Sequence, residues 1–141
     1  MTGNLYSRFE RVFEANASRI ALGAPDGTQV LTFGDLARGA SRYANALAAL
    51  GVEPGDRVTV QVEKSIANLL LYLAVMKAGG VTVATMPLLR AKELSYTVKK
   101  AKIAHALFDT RLAYEMEKTK PLAADLEHVV HWGADGELQK L

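Results

Sequence analysis

The sequence of 141 residues predicts an α/β fold in which helices cover the faces of a mostly parallel β-sheet. The main observation is the order β-α-β-α-β-α-β from residue 57 onward, because parallel neighbouring strands need crossover helices between them. A second is composition, since half of the residues are hydrophobic and 23% are charged, as in ordinary globular proteins. Residues 1–56 add an N-terminal helix, a β-hairpin and a first core helix, and residues 57–141 carry the alternating segment.

The first residues predict a helix followed by the hairpin. Asn4 can cap a helix that runs to about residue 15. The apolar face of that helix would carry Leu5, Phe9, Val12 and Phe13, at spacings of three and four. Strands at 19–23 and 29–33 flank a turn at 24–28 that contains proline and glycine, so the two strands form a hairpin.

A long amphipathic helix comes next. Thr32 and Asp35 stand three apart just before it, in the arrangement of a capping box with Asp in place of the usual Glu. An apolar stripe at helical period follows, and Gly51 ends the helix in the left-handed conformation that glycine favours. The stripe consists of Leu36, Ala40, Tyr43, Ala44, Leu47 and Leu50. A turn at 53–56 then leads into an alternating strand at 57–62.

The glycine pair Gly79-Gly80 has two interpretations. A phosphate-binding loop places its glycines after a strand and before a helix, so that amide groups face the anion. Here a helix capped by Ser65 and apolar nearly all round precedes the pair, and an apolar strand at 80–85 follows it up to Pro87. That order favours a helix C-cap that leads into a buried strand.

The remaining elements are a helix at 90–101 with Leu94 and Val98 inward, a strand at 105–109, a short helix near 112–118 and a strand at 128–132. His128 and His131 lie three apart on that last strand and so point to opposite faces, which excludes a shared metal. His105 is interpreted as a structural histidine. Capping or turn roles suffice for Asp56 and Asp109, and Glu63 and Lys64 suggest a surface ion pair.

A burst of positive charge between residues 88 and 102 leaves two alternatives open. One is a solvated helix face, and the other is an anion site for a polyphosphate or phosphorylated cofactor at the carboxyl end of the preceding strand. The segment contains one acidic residue, Glu93, and five cations, which are Arg90, Lys92, Lys99, Lys100 and Lys102. A nucleic-acid surface would also need interleaved aromatic side chains, and only Tyr96 qualifies.

Other function classes are excluded or unsupported. The chain has no cysteine, so disulfides and thiol nucleophiles are absent. The longest apolar run, 66–76, is shorter than the roughly 20 residues that span a bilayer, and the N-terminus has no signal-peptide pattern. We therefore expect a soluble, cytoplasmic chain with no membrane or nucleic-acid partner. No set of residues in it predicts a catalytic centre or a metal site.

Two ordered motifs resemble those of adenylate-forming enzymes, the ANL superfamily. "LTFGDL" at 31–36 resembles the first core motif of that family, and "MKAGGVTVATMP" at 76–87 resembles the second. The resemblance implies that residues 1–141 are the N-terminal part of an ATP-dependent acid–CoA ligase. Such an enzyme joins a carboxylic acid to ATP as an acyl-adenylate and then to coenzyme A as a thioester, with Mg²⁺ balancing phosphate charge. The expected partners are a small carboxylic acid and the remainder of the enzyme, a large N-terminal core and a C-terminal domain.

The resemblance also bears on substrate and site residues. "VQVEKSIANLLLYLA" at 60–74 is similar to malonyl-CoA synthetases, whereas "TMPLLRAKEL" at 85–94 is similar to benzoate- and aminobenzoate-type CoA ligases. In some aryl-CoA ligases a basic residue just after the proline touches a coenzyme A phosphate. Leu88 holds that place here, and Arg90 with Lys92 are the candidate cofactor contacts.

The phosphate loop, the nucleotide-binding aspartates and the catalytic lysine of the family are missing, so the chain alone is expected to be inactive. The alternative is a stand-alone, non-catalytic α/β binding or interaction module.

Overall fold

The structure is a computed structural model that describes residues 3–28, 30–132 and 138–140. Seven strands and five α-helices follow one another in these residues, and two 3₁₀ turns, Thr110–Leu112 and Lys120–Leu122, flank the last helix. The elements are α1 Tyr6–Ala15, β1 Ile20–Gly23, β2 Val30–Thr32, α2 Phe33–Ala49, β3 Arg57–Gln61, α3 Ile66–Lys77, β4 Val81–Ala84, α4 Ala91–Ala101, β5 His105–Asp109, α5 Ala113–Thr119, β6 His128–Trp132 and β7 Leu138–Lys140.

The main sheet has the strand order β4-β3-β5-β6-β7. The pairs β3–β4, β3–β5 and β5–β6 are parallel, and only β6–β7 is antiparallel. Strands β1 and β2 form a separate antiparallel hairpin. The predicted α/β fold with a mostly parallel sheet is therefore confirmed. Strand β7 was not predicted, because it is only three residues long and pairs with β6 as a simple return strand.

Helices cover the sheet on both faces, so the core is split into two layers. On one face Val58 and Val60 of β3 pack with residues of α2 and α3. On the other face Ala106 and Phe108 of β5 pack with residues of α4 and α5. Although the sequence of β3 alternates, neither face of this strand is exposed to solvent, and every residue from Val58 to Gln61 is buried.

Helix α1 buries a different face from the predicted one. Tyr6 and Phe13 are buried against α2 and α3, with their rings edge to face at a centroid distance of 6.5 Å. Leu5 and Val12 are more than half exposed, and Phe9 is also exposed. Apolar spacing shows that a helix has an apolar side, but the neighbouring elements decide how far it is rotated about its axis. The predicted cap is confirmed, because Asn4 Oδ1 accepts the Tyr6 amide at 2.9 Å.

The predicted capping box at the start of α2 is present in full. Thr32 Oγ1 accepts the Asp35 amide at 3.2 Å, and Asp35 Oδ2 accepts the Thr32 amide at 2.8 Å. These hydrogen bonds favour the carboxylate, so they lower the pKa of Asp35 below its ordinary value, with the Thr32 amide the largest cause. Gly51 ends α2 with φ 99°, as predicted.

The glycine pair closes α3 and does not cradle an anion. The Gly79 amide donates to Met76 O at 3.0 Å and the Gly80 amide donates to Val75 O at 2.9 Å, which is a Schellman C-cap with Gly79 at φ 84°. Both amides are therefore already used. The strand that follows is not buried, contrary to the prediction, because β4 is the last strand at one side of the sheet and Val81 is 50% exposed.

No helix in the described ranges combines the length and the apolarity needed to cross a membrane.

Candidate functional site

The parallel strands define a carboxyl edge of the sheet, where β3, β4 and β5 end and the chain turns into α3, α4 and α5. In open α/β sheets, ligands bind in the crevice beyond this edge. Three connecting segments form it here: residues 62–65, 85–90 and 110–112. We call residues 85–90 the β4 loop.

Side chains of the neighbouring strand β3 hold the β4 loop at both of its ends. Thr59 Oγ1 lies 3.0 Å from Thr85 Oγ1. Gln61 Nε2 donates to Met86 O at 3.0 Å and to Leu89 O at 3.1 Å. The Leu89 amide donates to Met86 O at 3.1 Å, so residues 86–89 form a turn with proline in its second position. The loop is thus tied to β3, the strand next to β4 in the sheet.

Arg90 and Lys92 lie directly after this loop, at the carboxyl edge. The Arg90 amide donates to Glu93 Oε2 at 3.2 Å, which fixes the backbone at the start of α4. Both basic side chains are exposed. Within the described residues neither makes an ion pair with a carboxylate, so both cationic groups face solvent at the edge where ligands bind.

The rest of the charge burst lies elsewhere. Helix α4 runs from the carboxyl edge back toward the opposite, amino edge, and its 11 residues span about 16 Å. Lys99, Lys100 and Lys102 stand at the far end of that helix, where they interact favourably with its dipole. The five cations therefore do not form one site, and only Arg90 and Lys92 remain candidates for a ligand at the carboxyl edge.

A second charged group joins two of the loops at the carboxyl edge. Arg111 Nη2 lies 2.8 Å from Asp109 Oδ2 and 3.2 Å from Glu63 Oε2. Asp109 Oδ1 also accepts the Arg111 amide at 3.1 Å, which is the predicted capping role. Hydrogen bonds from Arg111 are the main cause that lowers the pKa of Asp109. The guanidinium links the end of β5 to the segment after β3, so Glu63 pairs with Arg111 and not with Lys64 as the sequence suggested.

His105 and Asp56 form a pair that sequence reasoning missed. His105 opens β5 at the amino edge, is 4% exposed, and has Nε2 2.8 Å from Asp56 Oδ2. The same oxygen accepts the Glu53 amide at 2.8 Å, which is the predicted turn role of Asp56. The two residues are 49 positions apart, and nothing local in the sequence signals their contact. The pair is structural, at the edge of the sheet away from the β4 loop.

The histidines of β6 and a groove beside the glycine pair supply no further site residue in the described part of the chain. His128 and His131 lie on β6 as predicted, and their side chains fall outside the described part of the chain. No three described His, Asp or Glu side chains converge in a way that could hold a metal ion. A groove of about 570 Å³ lies at the amino end of β4 beside Gly79 and Gly80, and no acidic or basic side chain lines it.

Comparisons with known proteins agree with the fold. The model of the AMP-binding enzyme family matches residues 9–140. MatB of Rhodopseudomonas palustris superposes with a TM-score of 0.83 at 30% identity, over 98% of this chain and 27% of that protein, and it has also been solved with ATP bound. The anthranilate CoA ligase AuaEII, solved with anthranoyl-AMP, superposes at 0.80 with 25% identity, over 91% of this chain and 24% of the ligase.

The chain is also similar in sequence to a protein of a different kind, a peptide synthetase. The nonribosomal peptide synthetase dtxS1 of Metarhizium robertsii is 35% identical over 108 residues, which are 77% of this chain and 1% of that synthetase. The chain therefore spans about a quarter of the two solved proteins and a far smaller share of the synthetase.

Proposed function

We propose, from the premise that this chain belongs to the AMP-binding enzyme family, that the protein is the N-terminal part of an AMP-forming carboxylic acid–CoA ligase. The observation that carries the proposal is the placement of Arg90 and Lys92, two exposed cations directly beyond β4 at the carboxyl edge. Phosphate groups of coenzyme A carry the complementary charge. The solved relative AuaEII, named as a CoA ligase, supports the choice of acceptor.

The proposed reaction has two steps. A carboxylate oxygen attacks the α-phosphorus of ATP and pyrophosphate leaves, which gives an acyl-adenylate. The thiol of coenzyme A, losing its proton, then attacks the acyl carbon and AMP leaves. We assign no catalytic residue to this chain, and we assign ATP and Mg²⁺ to the remainder of the enzyme. Residues 1–56 and 57–141 supply the supporting segment of its N-terminal core, and the 141-residue chain alone is expected to be inactive.

The roles of Arg90 and Lys92 can be tested in the full-length enzyme. Replacing both with alanine should raise the KM for coenzyme A about tenfold, because a charge-assisted contact is lost, and should leave the KM for ATP within about twofold. The double change Lys99→Ala and Lys100→Ala is the matched control, since it removes the same charge from the other end of α4. If both double variants raise the KM for coenzyme A equally, Arg90 and Lys92 are ordinary solvated surface residues and do not contact coenzyme A.

We propose a malonate-like or aromatic acid as the substrate. The aromatic choice is supported by AuaEII, whose solved complex holds anthranoyl-AMP. The malonate-like choice is supported by the resemblance of residues 60–74 to malonyl-CoA synthetases. Pyrophosphate release measured with malonate, benzoate and 2-aminobenzoate in turn would decide between them, and turnover only with long-chain acids would refute both.

Two other functions remain testable. The 35% identity to a nonribosomal peptide synthetase favours amino-acid adenylation, with a carrier-protein thiol in place of coenzyme A. Amino-acid-dependent exchange of pyrophosphate into ATP, without thioester formation on coenzyme A, would identify that activity. A stand-alone binding module is the other alternative. A full-length protein that releases no pyrophosphate with any acid, yet folds cooperatively, would favour the module.

A further inference from the structure

Gln61 is an unusual residue for its position. It ends β3, which lies between β4 and β5 inside a parallel sheet with helices on both faces. Strands in that position are normally apolar, yet the Gln61 side chain is a carboxamide with no exposure to solvent. Its orientation is fixed by chemistry, because both of its partners are carbonyl oxygens, which accept hydrogen bonds only from its Nε2 group.

The carboxamide is retained although its other end is unpaired. Gln61 Oε1 is buried and has no hydrogen-bond partner among the described residues. A buried acceptor without a partner destabilises a protein, and an apolar side chain of the same length would avoid that cost. Core stability alone therefore does not account for this residue. What the carboxamide adds is its two hydrogen bonds to the β4 loop.

Those two hydrogen bonds fix the backbone of the loop directly before Arg90. Gln61 Nε2 binds the carbonyls at both ends of the proline turn, Met86 O and Leu89 O. Arg90 is the next residue, and its own amide is held by Glu93. No unanchored residue separates the turn from Arg90. A shift of the turn would therefore move the origin of the Arg90 side chain directly.

We propose that Gln61 is a positioning residue, which pins the β4 loop so that Arg90 meets a phosphate of coenzyme A in a fixed place. The inference rests on the proposed function for the role of Arg90. A residue of this kind acts on binding and not on the bond-making steps. Its loss should therefore change the KM for coenzyme A while kcat and the KM for ATP stay close to their original values.

The test uses Gln61→Met in the full-length enzyme, because Met matches the length of Gln and makes no strong hydrogen bond. We expect the KM for coenzyme A to rise about tenfold, equivalent to about 1.4 kcal/mol. Val58→Ala is the control, since Val58 lies on the same strand but packs on the opposite face. That change should lower stability and leave the KM for coenzyme A unaltered.

A second variant keeps the test decisive if Gln61→Met fails to fold. Pro87→Ala frees the turn without touching the core, and should raise the KM for coenzyme A about two- to fivefold through the added freedom of the loop. A KM for coenzyme A that is unchanged in both variants would overturn the proposal, as would an equal rise in Val58→Ala.

Hydrogen exchange separates failure of this inference from failure of the proposed function. The backbone amides of residues 85–90, except Pro87, should exchange faster in Gln61→Met than in the unmodified enzyme, whatever the acceptor of the acyl group. If the unmodified enzyme has no coenzyme A-dependent activity, the proposed function is wrong and the assigned role of Gln61 falls with it. If that activity is present and exchange at 85–90 is unchanged in Gln61→Met, the positioning role alone is wrong.

Discussion

Replacing Gly79 with alanine should destabilise the chain more than an ordinary glycine substitution. Gly79 has φ 84°, a conformation that costs an L-residue about 1–2 kcal/mol. A Cβ atom there would also lie 3.1 Å from Pro54 Cβ and 3.3 Å from Pro54 Cα. The turn at 53–56 is held against this site by the hydrogen bond from the Gly55 amide to Gly79 O, so it cannot easily move away. We add about 1 kcal/mol for this overpacking, which gives about 2–3 kcal/mol in total.

The matched control is Gly27→Ala. Gly27 has a similar φ of 74°, but a Cβ atom there would meet nothing within 4 Å. Its substitution therefore carries only the backbone cost of about 1–2 kcal/mol. Urea unfolding of the chain, with the midpoint and the slope both fitted, measures the two changes. The melting temperatures should fall by about 4 °C for each kcal/mol.

The contribution of Pro54 can be isolated by a double-mutant cycle. Pro54→Gly removes the Cβ atom that a methyl group at position 79 would meet, so Gly79→Ala should cost about 1 kcal/mol less in that background. A loss at Gly79 no larger than at Gly27, and unchanged by Pro54→Gly, would show that the close approach contributes nothing. No loss at all at Gly79 would contradict the left-handed C-cap itself.

Two further predictions concern the charged groups. Because its pKa is lowered on folding, Asp35 stabilises the chain above its ordinary pKa of 3.8 and loses that contribution as the pH falls below it. Urea unfolding between pH 5 and pH 3, at about half-unit steps, should show a steeper loss for the unmodified chain than for Asp35→Asn. Parallel slopes would contradict the capping-box pair. Asp56→Ala should lower the free energy of unfolding by about 1–3 kcal/mol, because Glu53 N and His105 Nε2 both lose their acceptor. The exposed Asp125→Ala should stay within about 0.5 kcal/mol in the same urea assay, and an equal change at both positions would remove the assigned role of Asp56.

Local chemistry made much of the fold predictable. The capping box of Thr32 and Asp35, and the left-handed ends at Gly51 and Gly79, depend on residues within one turn of each other. The βαβ order likewise follows from hydrophobic period and segment length. The rotation of α1 was not predictable in this way, because Tyr6 is buried by contacts with α2 and α3. Its tyrosine hydroxyl made Tyr6 a weaker core candidate than Leu5, which is more than half exposed.

The candidate site was predictable only in part, because distance in space was not available from the sequence. Arg90 and Lys92 were found from charge and from their place after a strand. The partners that hold the site together are far apart in the chain, as with Gln61 and the turn that ends at Leu89, or Glu63 and Arg111. One signal was present for Gln61, since an amide on a strand placed inside a parallel sheet needs a hydrogen-bond partner. The sequence could not show which backbone carbonyls would accept the hydrogen bonds of this amide.

The charge burst shows how topology decides which of these residues can act together. Five cations within 13 positions make a local excess of positive charge, which in the sequence resembles one binding site. A helix of 11 residues between two parallel strands must carry the chain from the carboxyl edge back to the amino edge, so it separates the cations at its two ends by about 16 Å. That separation exceeds the Debye length of about 8 Å at physiological salt, so the distant lysines contribute little at Arg90. Of these five cations, only Arg90 and Lys92 would therefore act strongly on an anion bound at the carboxyl edge, and the net charge of the segment overstates their field at the site.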